Sequence, residues 1–304
     1  MTQLSRRRFL HTAAAASFMG AARGADPSTN PIGFGTYGLP GYSIGQAIEL
    51  VSAVGFDSIE IAAMPGYHGA PDQVTAEDRK FIRQLLMEKG LILGALMGLP
   101  KPDAANQKEN DSWVAQTIEL ALELSPERPP LIQSVLYGGD WEEKKALFRD
   151  TLGHWVAMAA EAGVTVAIKP HRGHAMSLPE QGIWLIEELG ATDSLKLVYD
   201  QSHFAYRDLP ISETVARALP YTGYMAIKDA YVLGGKVRFD LPGERESMPH
   251  VEVLTHFLEG GYRGEICCEV SAHVWRKEGY QPDFATRRSF ANLQKIMTEV
   301  RQRR

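Results

Sequence analysis

Val164-Thr165-Val166-Ala167-Ile168-Lys169-Pro170-His171-Arg172-Gly173-His174 is the stretch on which the reading of this chain turns. Val164–Ile168 is an unbroken, mostly apolar and partly β-branched run. That composition suits a strand buried on both faces, as in a parallel sheet. Pro170 cannot donate to a central ladder, so the strand ends there. Lys169, His171, Arg172 and His174 follow within six residues. In α/β proteins the carboxyl ends of the strands open onto the site, so a buried strand ending in ionisable groups points to chemistry. The competing reading is a solvated basic turn, because charged clusters mark function only on average.

Outward from this strand the chain alternates strand-like and helix-like segments. Strands are expected at Ile32–Tyr37, Phe56–Ile61, Leu91–Leu96, Leu131–Leu136, Val164–Ile168, Leu195–Tyr199, Gly223–Ile227 and Glu265–Val270. Between them, Ser43 is placed to cap a helix carrying Ile44, Ala47, Ile48 and Val51 at helical spacing. Thr75-Ala-Glu-Asp reads as a capping box for a helix with Phe81, Ile82, Leu85 and Leu86 on its inner side. Gly55 and Gly90 are the expected stops. Asp111 is the expected cap of a helix over Trp113–Leu124. Tyr231–Met248 reads as a long loop, and a last helix runs from about Pro282 to Arg301. Eight strand–helix units in this order predict a single-domain (β/α)₈ TIM barrel. An open doubly wound sheet is the alternative, weakened because no Gly-x-Gly-x-x-Gly follows the first strand.

The chain has 304 residues, 44% hydrophobic and 23% charged, with a formal charge of −5. This is an ordinary globular composition with length for a large core. No long basic block supports a nucleic-acid face, and no apolar run reaches the ~18 residues of a membrane span. The start differs from the rest. Ser5-Arg6-Arg7-Arg8-Phe9-Leu10-His11 precedes an Ala-rich, weakly apolar run. That order resembles a twin-arginine export signal over residues 1–25, cut near Gly24 or Ala25, with the barrel over 26–304. A basic amphipathic tail is the alternative. Cleavage removes four arginines from the formal charge and leaves −9. A periplasmic or otherwise exported location is therefore expected. Cys267 and Cys268 are adjacent in an expected strand, where neighbours face opposite sides, so no disulfide framework is expected.

The strand ends collect Glu60, Lys169, His171, Asp200, His203, Lys228, Asp229 and Glu269. None are close in sequence across strands, so only parallel closure would gather them. Any one could be a surface residue, a loop cap or a satisfied core group; as a set they form the candidate site. Tyr37, Tyr137, Phe204 and Trp275 are placed to stack on a ring, or equally to pack.

Several segments together carry a resemblance. They are Ala167–His171, Leu197–His203, Ile227–Asp229, Leu241-Pro242-Gly243-Glu244 and Glu265–Ser271. In order and placement this pattern resembles the sugar phosphate isomerase/epimerase group, the xylose-isomerase-like TIM barrels. Ketose 3-epimerases, hydroxypyruvate isomerase, inosose dehydratase and endonuclease IV are related families. The resemblance implies a sugar isomerase, epimerase or lyase that removes a proton next to a carbonyl. It implies a small-molecule sugar partner, no nucleic acid and no stable membrane anchor, and it allows a homo-oligomer. Outside the cytoplasm, a free or oxidised sugar is favoured over a phosphorylated one.

Metal-dependent members of that group hold a divalent ion (Mn, Mg, Co or Zn) through Glu, Asp, His and Glu at the ends of strands five to eight. Asp200 and Glu269 match this pattern. Lys169 stands in place of the first Glu and Ala226 in place of the His. His171 or His203 could complete a rearranged metal set with Asp200 and Glu269, His203 being the one assigned. Alternatively, the Lys169 ammonium takes over the metal's charge. The resulting assignment has Glu269 as base and Lys169 as electrophile, facing each other across the cavity. His171, His203, Lys228 and Glu60 contact the substrate. Two other outcomes stay open: a non-catalytic carbohydrate-binding barrel with a decayed metal site, and a DNA-repair endonuclease. The latter is disfavoured by the negative charge and the export signal.

Overall fold

In the computed structural model, which describes residues 30–303, eight parallel strands close into a barrel. They are β1 (Ile32–Gly35), β2 (Ser58–Ala62), β3 (Ile92–Met97), β4 (Leu131–Val135), β5 (Val166–Lys169), β6 (Leu195–Tyr199), β7 (Thr222–Ile227) and β10 (Glu265–Cys268). The neighbour order around the barrel is β1-β10-β7-β6-β5-β4-β3-β2. Each barrel strand follows its sequence predecessor, and β10 closes against β1 with Ile32 opposite Ile266. The expected export signal, residues 1–25, lies outside the described residues. Among the described residues no helix is long and apolar enough to cross a membrane.

Two-residue periodicity divides every strand between two cores. Outward side chains such as Phe34, Ile59, Ile132, Ile168, Leu197 and Cys268 are buried against the helical ring. Inward side chains Ala95, Ala167, Val198, Tyr224, Ala226 and Cys267 pack inside the barrel. The two cysteines therefore face opposite sides and stay free. Register carries the same alternation to the strand ends. Gln133 pairs with Ala167, and Val135 with Lys169, so both positions face inward.

The helices start and stop for local reasons. The helix α1 (Ile44–Val54) opens on a capping box between Ser43 and Gln46 and ends at Gly55 in the left-handed region. The next, α2 (Ala76–Lys89), repeats this with Thr75, Asp78 and Gly90. Phe81 departs from expectation: it is 57% exposed, lying over Gly45 rather than in the core. Another correction concerns α3, which spans Gln107–Leu124, so Asp111 is inside the helix instead of capping it. There it accepts a hydrogen bond from Trp155 Nε1 at 2.8 Å, tying α3 to α4 (Trp141–Glu161). The ring continues with α5 (Pro179–Glu188), α6 (Ile211–Ala218) and α7 (His250–Glu259). It ends with the single-turn α8 (Ala272–Trp275) and with α9 (Pro282–Arg303).

The main correction is in the segment expected to be a loop from Tyr231 to Met248. Its first half is an antiparallel hairpin, β8 (Asp229–Leu233) and β9 (Lys236–Asp240). Gly234 and Gly235 make the turn with φ of 56° and 71°. Positive φ at both central positions suits the twist of a two-residue hairpin, and glycine reaches it without strain. The strand-like residues Tyr231, Val232, Val237 and Phe239 flank that Gly-Gly pair. The hairpin stands at the carboxyl ends of the barrel strands and covers one side of the site.

Candidate functional site

The inward positions at the carboxyl ends of the strands carry Glu60, Gln133, Lys169, Asp200, Lys228 and Glu269. All are buried. They lie in two levels. Glu269 and Lys169 reach the wall of a cavity of about 710 Å³, together with Gln133, His171, His174 and Lys101. Tyr37, Tyr67 and Tyr137 supply its aromatic surface. Glu60, Asp200, His203 and Lys228 sit behind that wall. Glu60, His203 and Lys228, expected to touch substrate, are thus covered by other side chains, whereas His171 is on the wall. Among the aromatic candidates, Phe204 is core and Trp275 packs edge-on against Tyr37 at 5.6 Å.

Lys169 and Glu269 were expected to face each other across the cavity; they are instead directly paired through Lys169 Nζ and Glu269 Oε2. The other carboxylate oxygen, Oε1, accepts from Lys228 Nζ at 2.8 Å. Lys228 also donates to Asp200 Oδ2 and to His203 Nε2, the latter at 3.2 Å. An ammonium has three donors, and here each has an acceptor. Asp200 Oδ1 accepts from the Ser202 hydroxyl at 2.6 Å and the Ser202 amide at 3.2 Å. The two lysines and the two carboxylates therefore form one closed network.

The network sets the charges. Burial alone would raise the Glu269 pKa, but Lys169 and Lys228 outweigh it and hold the group below the usual carboxylate range. Burial works against the Lys169 charge. Glu269, Asp200 and Glu60 outweigh it and raise the pKa above the usual lysine value. Glu60 has no such partner within contact. Burial pushes it up to about 8, with Lys169 opposing. Gln133 Nε2 donates to Glu60 Oε2, while Gln133 Oε1 is buried with no partner among the described residues. The carboxyl packs against bare backbone, since a Cβ at Gly35 would come within 3.0 Å of its Oε1.

Three imidazoles stack beside the lysines. The His171 ring lies 3.9 Å from His203 and 4.5 Å from His174, centre to centre. Burial, then Lys169 and Lys228, push His171 down to about 3. Burial, then Lys228, lower His203 well below its usual value. Burial and the neighbouring ammoniums favour the neutral form of both rings, consistent with His203 Nε2 accepting from Lys228. His171 Nδ1 lies 2.8 Å from the Arg172 carbonyl, which leaves its Nε2 as an acceptor.

Asp229 follows Lys228, and alternation turns it outward, away from this network. It accepts from the Gly243 amide at 2.8 Å, the Arg245 amide at 2.5 Å and His250 Nε2 at 2.5 Å. It organises the loop after the hairpin and does not reach the cavity.

Asp200, His203 and Glu269 offer one ligand atom each within 4.8 Å of one another, the geometry of a three-ligand metal site. The residues around that point do not fit a divalent ion. The Lys228 ammonium already contacts all three groups, and Lys169 contacts Glu269. A dication there would be repelled by both ammoniums and could reach the three ligand atoms only by displacing Lys228 from each of them. Ala226, inward on β7, brings no ligand.

Sequence reasoning did not single out Gln133, Tyr67 or Lys101. Gln133 had a usable signal, a polar residue at an inward position of the apolar run Leu131–Leu136. Tyr67 and Lys101 lie on loops after β2 and β3, whose placement no periodicity encodes.

The profile of the xylose isomerase-like TIM barrel family matches residues 48–296. A comparison with curated proteins returns no match. Among solved structures, a xylose isomerase-like TIM barrel/4-hydroxyphenylpyruvate dioxygenase fusion protein superposes with a TM-score of 0.75 at 16% identity. That match covers 90% of this chain but only 44% of the fusion protein. A D-psicose 3-epimerase, solved in the presence of D-fructose, gives 0.70 at 18% identity, covering 88% of this chain and 99% of that one. A xylose isomerase-like TIM barrel protein from Mycobacterium smegmatis, in complex with magnesium, gives 0.66 at 17% identity, covering 90% and 99%. At such identities the likeness is one of fold.

Proposed function

Because the chain belongs to the xylose isomerase-like TIM barrel family, we propose that it is a sugar isomerase or epimerase. It would act on a free or oxidised sugar by removing a proton next to a carbonyl. The observation that carries this reading is the direct pairing of Lys169 with Glu269 on the cavity wall. In an α-hydroxy carbonyl the oxygen to be polarised and the hydrogen to be removed sit on adjacent carbons. A cation and a carboxylate side by side match that spacing.

In this mechanism the substrate carbonyl oxygen accepts from Lys169 Nζ and displaces Glu269 Oε2 from it. Glu269 then loses a charge partner, becomes more basic, and takes the α-proton through Oε2. The C–H electron pair forms the enediolate double bond, and the former carbonyl oxygen carries the negative charge against the ammonium. Return of that proton by Glu269 to the neighbouring carbon, with the α-hydroxyl proton passing to the former carbonyl oxygen, completes isomerisation; epimerisation requires a second proton donor on the opposite face of the enediolate, delivering to the original carbon while Glu269 keeps the proton it took. Lys228 keeps Glu269 Oε1 fixed throughout. His171 Nε2 is placed to accept from a hydroxyl, and the tyrosines give the ring an apolar face.

Incubation of the protein with a panel of free aldoses, ketoses and keto-sugars in deuterated water tests this. Deuterium should enter the carbon next to the carbonyl, and its position distinguishes the two reactions. Binding of a sugar without any exchange would instead support the carbohydrate-binding barrel. Export belongs to the same proposal. A reporter fused to residues 1–30 should leave the cytoplasm, and Arg6→Lys with Arg7→Lys should retain it; equal export by both removes the twin-arginine assignment.

A further inference from the structure

Lys228 does not line the cavity, yet it occupies the one point where the described residues offer three metal-ligating atoms. Its Nζ donates to Asp200 Oδ2, to Glu269 Oε1 at 2.8 Å and to His203 Nε2 at 3.2 Å. These are the residues that would bind an ion there. The remaining oxygens of the two carboxylates are engaged by Ser202 and Lys169. The side chain of Lys228 is 1% exposed, so the ammonium is enclosed by its acceptors and walled from solvent. From these contacts we infer that Lys228 is a built-in cation, a positioning residue that replaces a dissociable metal ion, and that a divalent-metal site lies latent beneath it.

The physical case rests on charge and on coordination. Two ammoniums balance two carboxylates, so the network is complete without a further positive charge. A dication entering beside Lys228 would find every first-row ligand already used as a hydrogen-bond acceptor. Removing the lysine reverses both conditions. It leaves two carboxylates and a neutral imidazole around an ammonium-sized space, a donor set of oxygen and nitrogen suited to cobalt, manganese or zinc. The inference builds on the reading above by naming what supplies the positive charge behind Glu269. Its test reads metal binding, not turnover, so either can fail alone.

The probe is cobalt(II), followed by its visible absorption and by titration calorimetry. Wild-type protein should show no stoichiometric cobalt spectrum, and a chelator should leave its thermal midpoint unchanged. Lys228→Ala should bind one equivalent of cobalt with at least ~100-fold higher affinity than wild type, a difference of about 2.8 kcal/mol. Adding Asp200→Asn should abolish that gain, and Lys228→Met, which fills the space with an apolar chain, should show none. A folded Lys228→Ala that gains no cobalt overturns the inference. So does wild-type protein that binds one equivalent of cobalt and loses it in Asp200→Asn. This second outcome is readable even if Lys228→Ala does not fold.

Discussion

The Lys228 ammonium meets Glu269 Oε1 at 2.8 Å with 1% of the lysine side chain and 9% of the glutamate side chain exposed. Lys169 holds the other oxygen of the same carboxylate. Glu269 is thus gripped by two cations, Lys228 from the end of the neighbouring strand β7 and Lys169 from β5 three strands away around the barrel, and each cation also answers to other acids. Removing one partner of a buried pair leaves an uncompensated charge, which typically costs about 3–5 kcal/mol. Lys228→Met should destabilise by this order, measured by denaturant unfolding. Asp200→Asn removes the acid that depends most directly on Lys228. The double variant should therefore lose less stability than the two single losses added together. Strict additivity would mean that the pair carries no coupling.

Glu60 makes stability depend on pH, with a sign opposite to that of a salt-bridged acid. Its folded value, about 8, lies above its ordinary 4.5. Between these two values the native state keeps a proton that the unfolded chain has released. Stability is therefore greatest below the ordinary value, falls as pH rises through that window, and levels off above about 8. Glu265, at the other end of the barrel, is pushed up to about 7 by burial and adds the same sign over a narrower range. Glu60→Gln should flatten the decline by a few kcal/mol and leave the Glu265 part. Chemical unfolding at a series of pH values measures it. An unchanged slope would mean that Glu60 is already ionised in the native state.

Much of this was legible because strand-forming runs are local. The apolar run before Lys169 marked a buried strand, and parallel closure gathered Lys169, Asp200, Lys228 and Glu269 at one end of the barrel; alternation, which turns Asp229 outward while Lys228 faces in, was not applied to that set. What parity does not encode is depth. Lys228 and Glu269 both end barrel strands and both face inward, yet only Glu269 reaches the cavity. That difference depends on the stagger of the strands and on the hairpin above them. The hairpin was read as part of a long loop, although the strand-like residues flanking its Gly-Gly turn were in view. The Lys169–Glu269 contact was also beyond sequence, since it depends on strands β5 and β10 lying across the barrel from each other.

Asp229 supports the site from outside it. Its carboxylate accepts from two loop amides and from His250. Asp229→Ala leaves the Gly243 and Arg245 amides without partners and frees the segment after the hairpin. Hydrogen bonds to a charged group contribute about 1.5–3 kcal/mol each, though some are regained from water in a loop. A net loss of roughly 2–4 kcal/mol is expected by unfolding. Hydrogen exchange should speed up first at Gly243 and Arg245, with the β5 amides much less affected. Equal acceleration in both places would mean that Asp229 supports the whole barrel instead of this loop.

Lys169 and Glu269 should differ in how their loss reads out, which separates electrophile from base. Glu269→Gln keeps the shape and one acceptor oxygen but removes the proton acceptor. Turnover should fall by about 10²–10⁴-fold with sugar binding retained. Lys169→Met removes the charge that meets the enediolate oxygen, and turnover should fall comparably. It also removes the largest influence that lowers the Glu269 pKa. In wild type, where Glu269 stays ionised below the usual carboxylate range, activity should persist as the pH falls through that range. In Lys169→Met the residual activity should drop at a higher pH, because a less-supported Glu269 takes up its proton sooner. Lys169→Arg should keep the charge and restore the low acid limb, while losing turnover through the altered position of its donors. Turnover as a function of pH for the three variants and wild type measures all of this. Full activity in both Glu269→Gln and Lys169→Met would remove the proton-transfer assignment. An acid limb that stays in place in Lys169→Met would show that Lys228 alone sets the charge of Glu269.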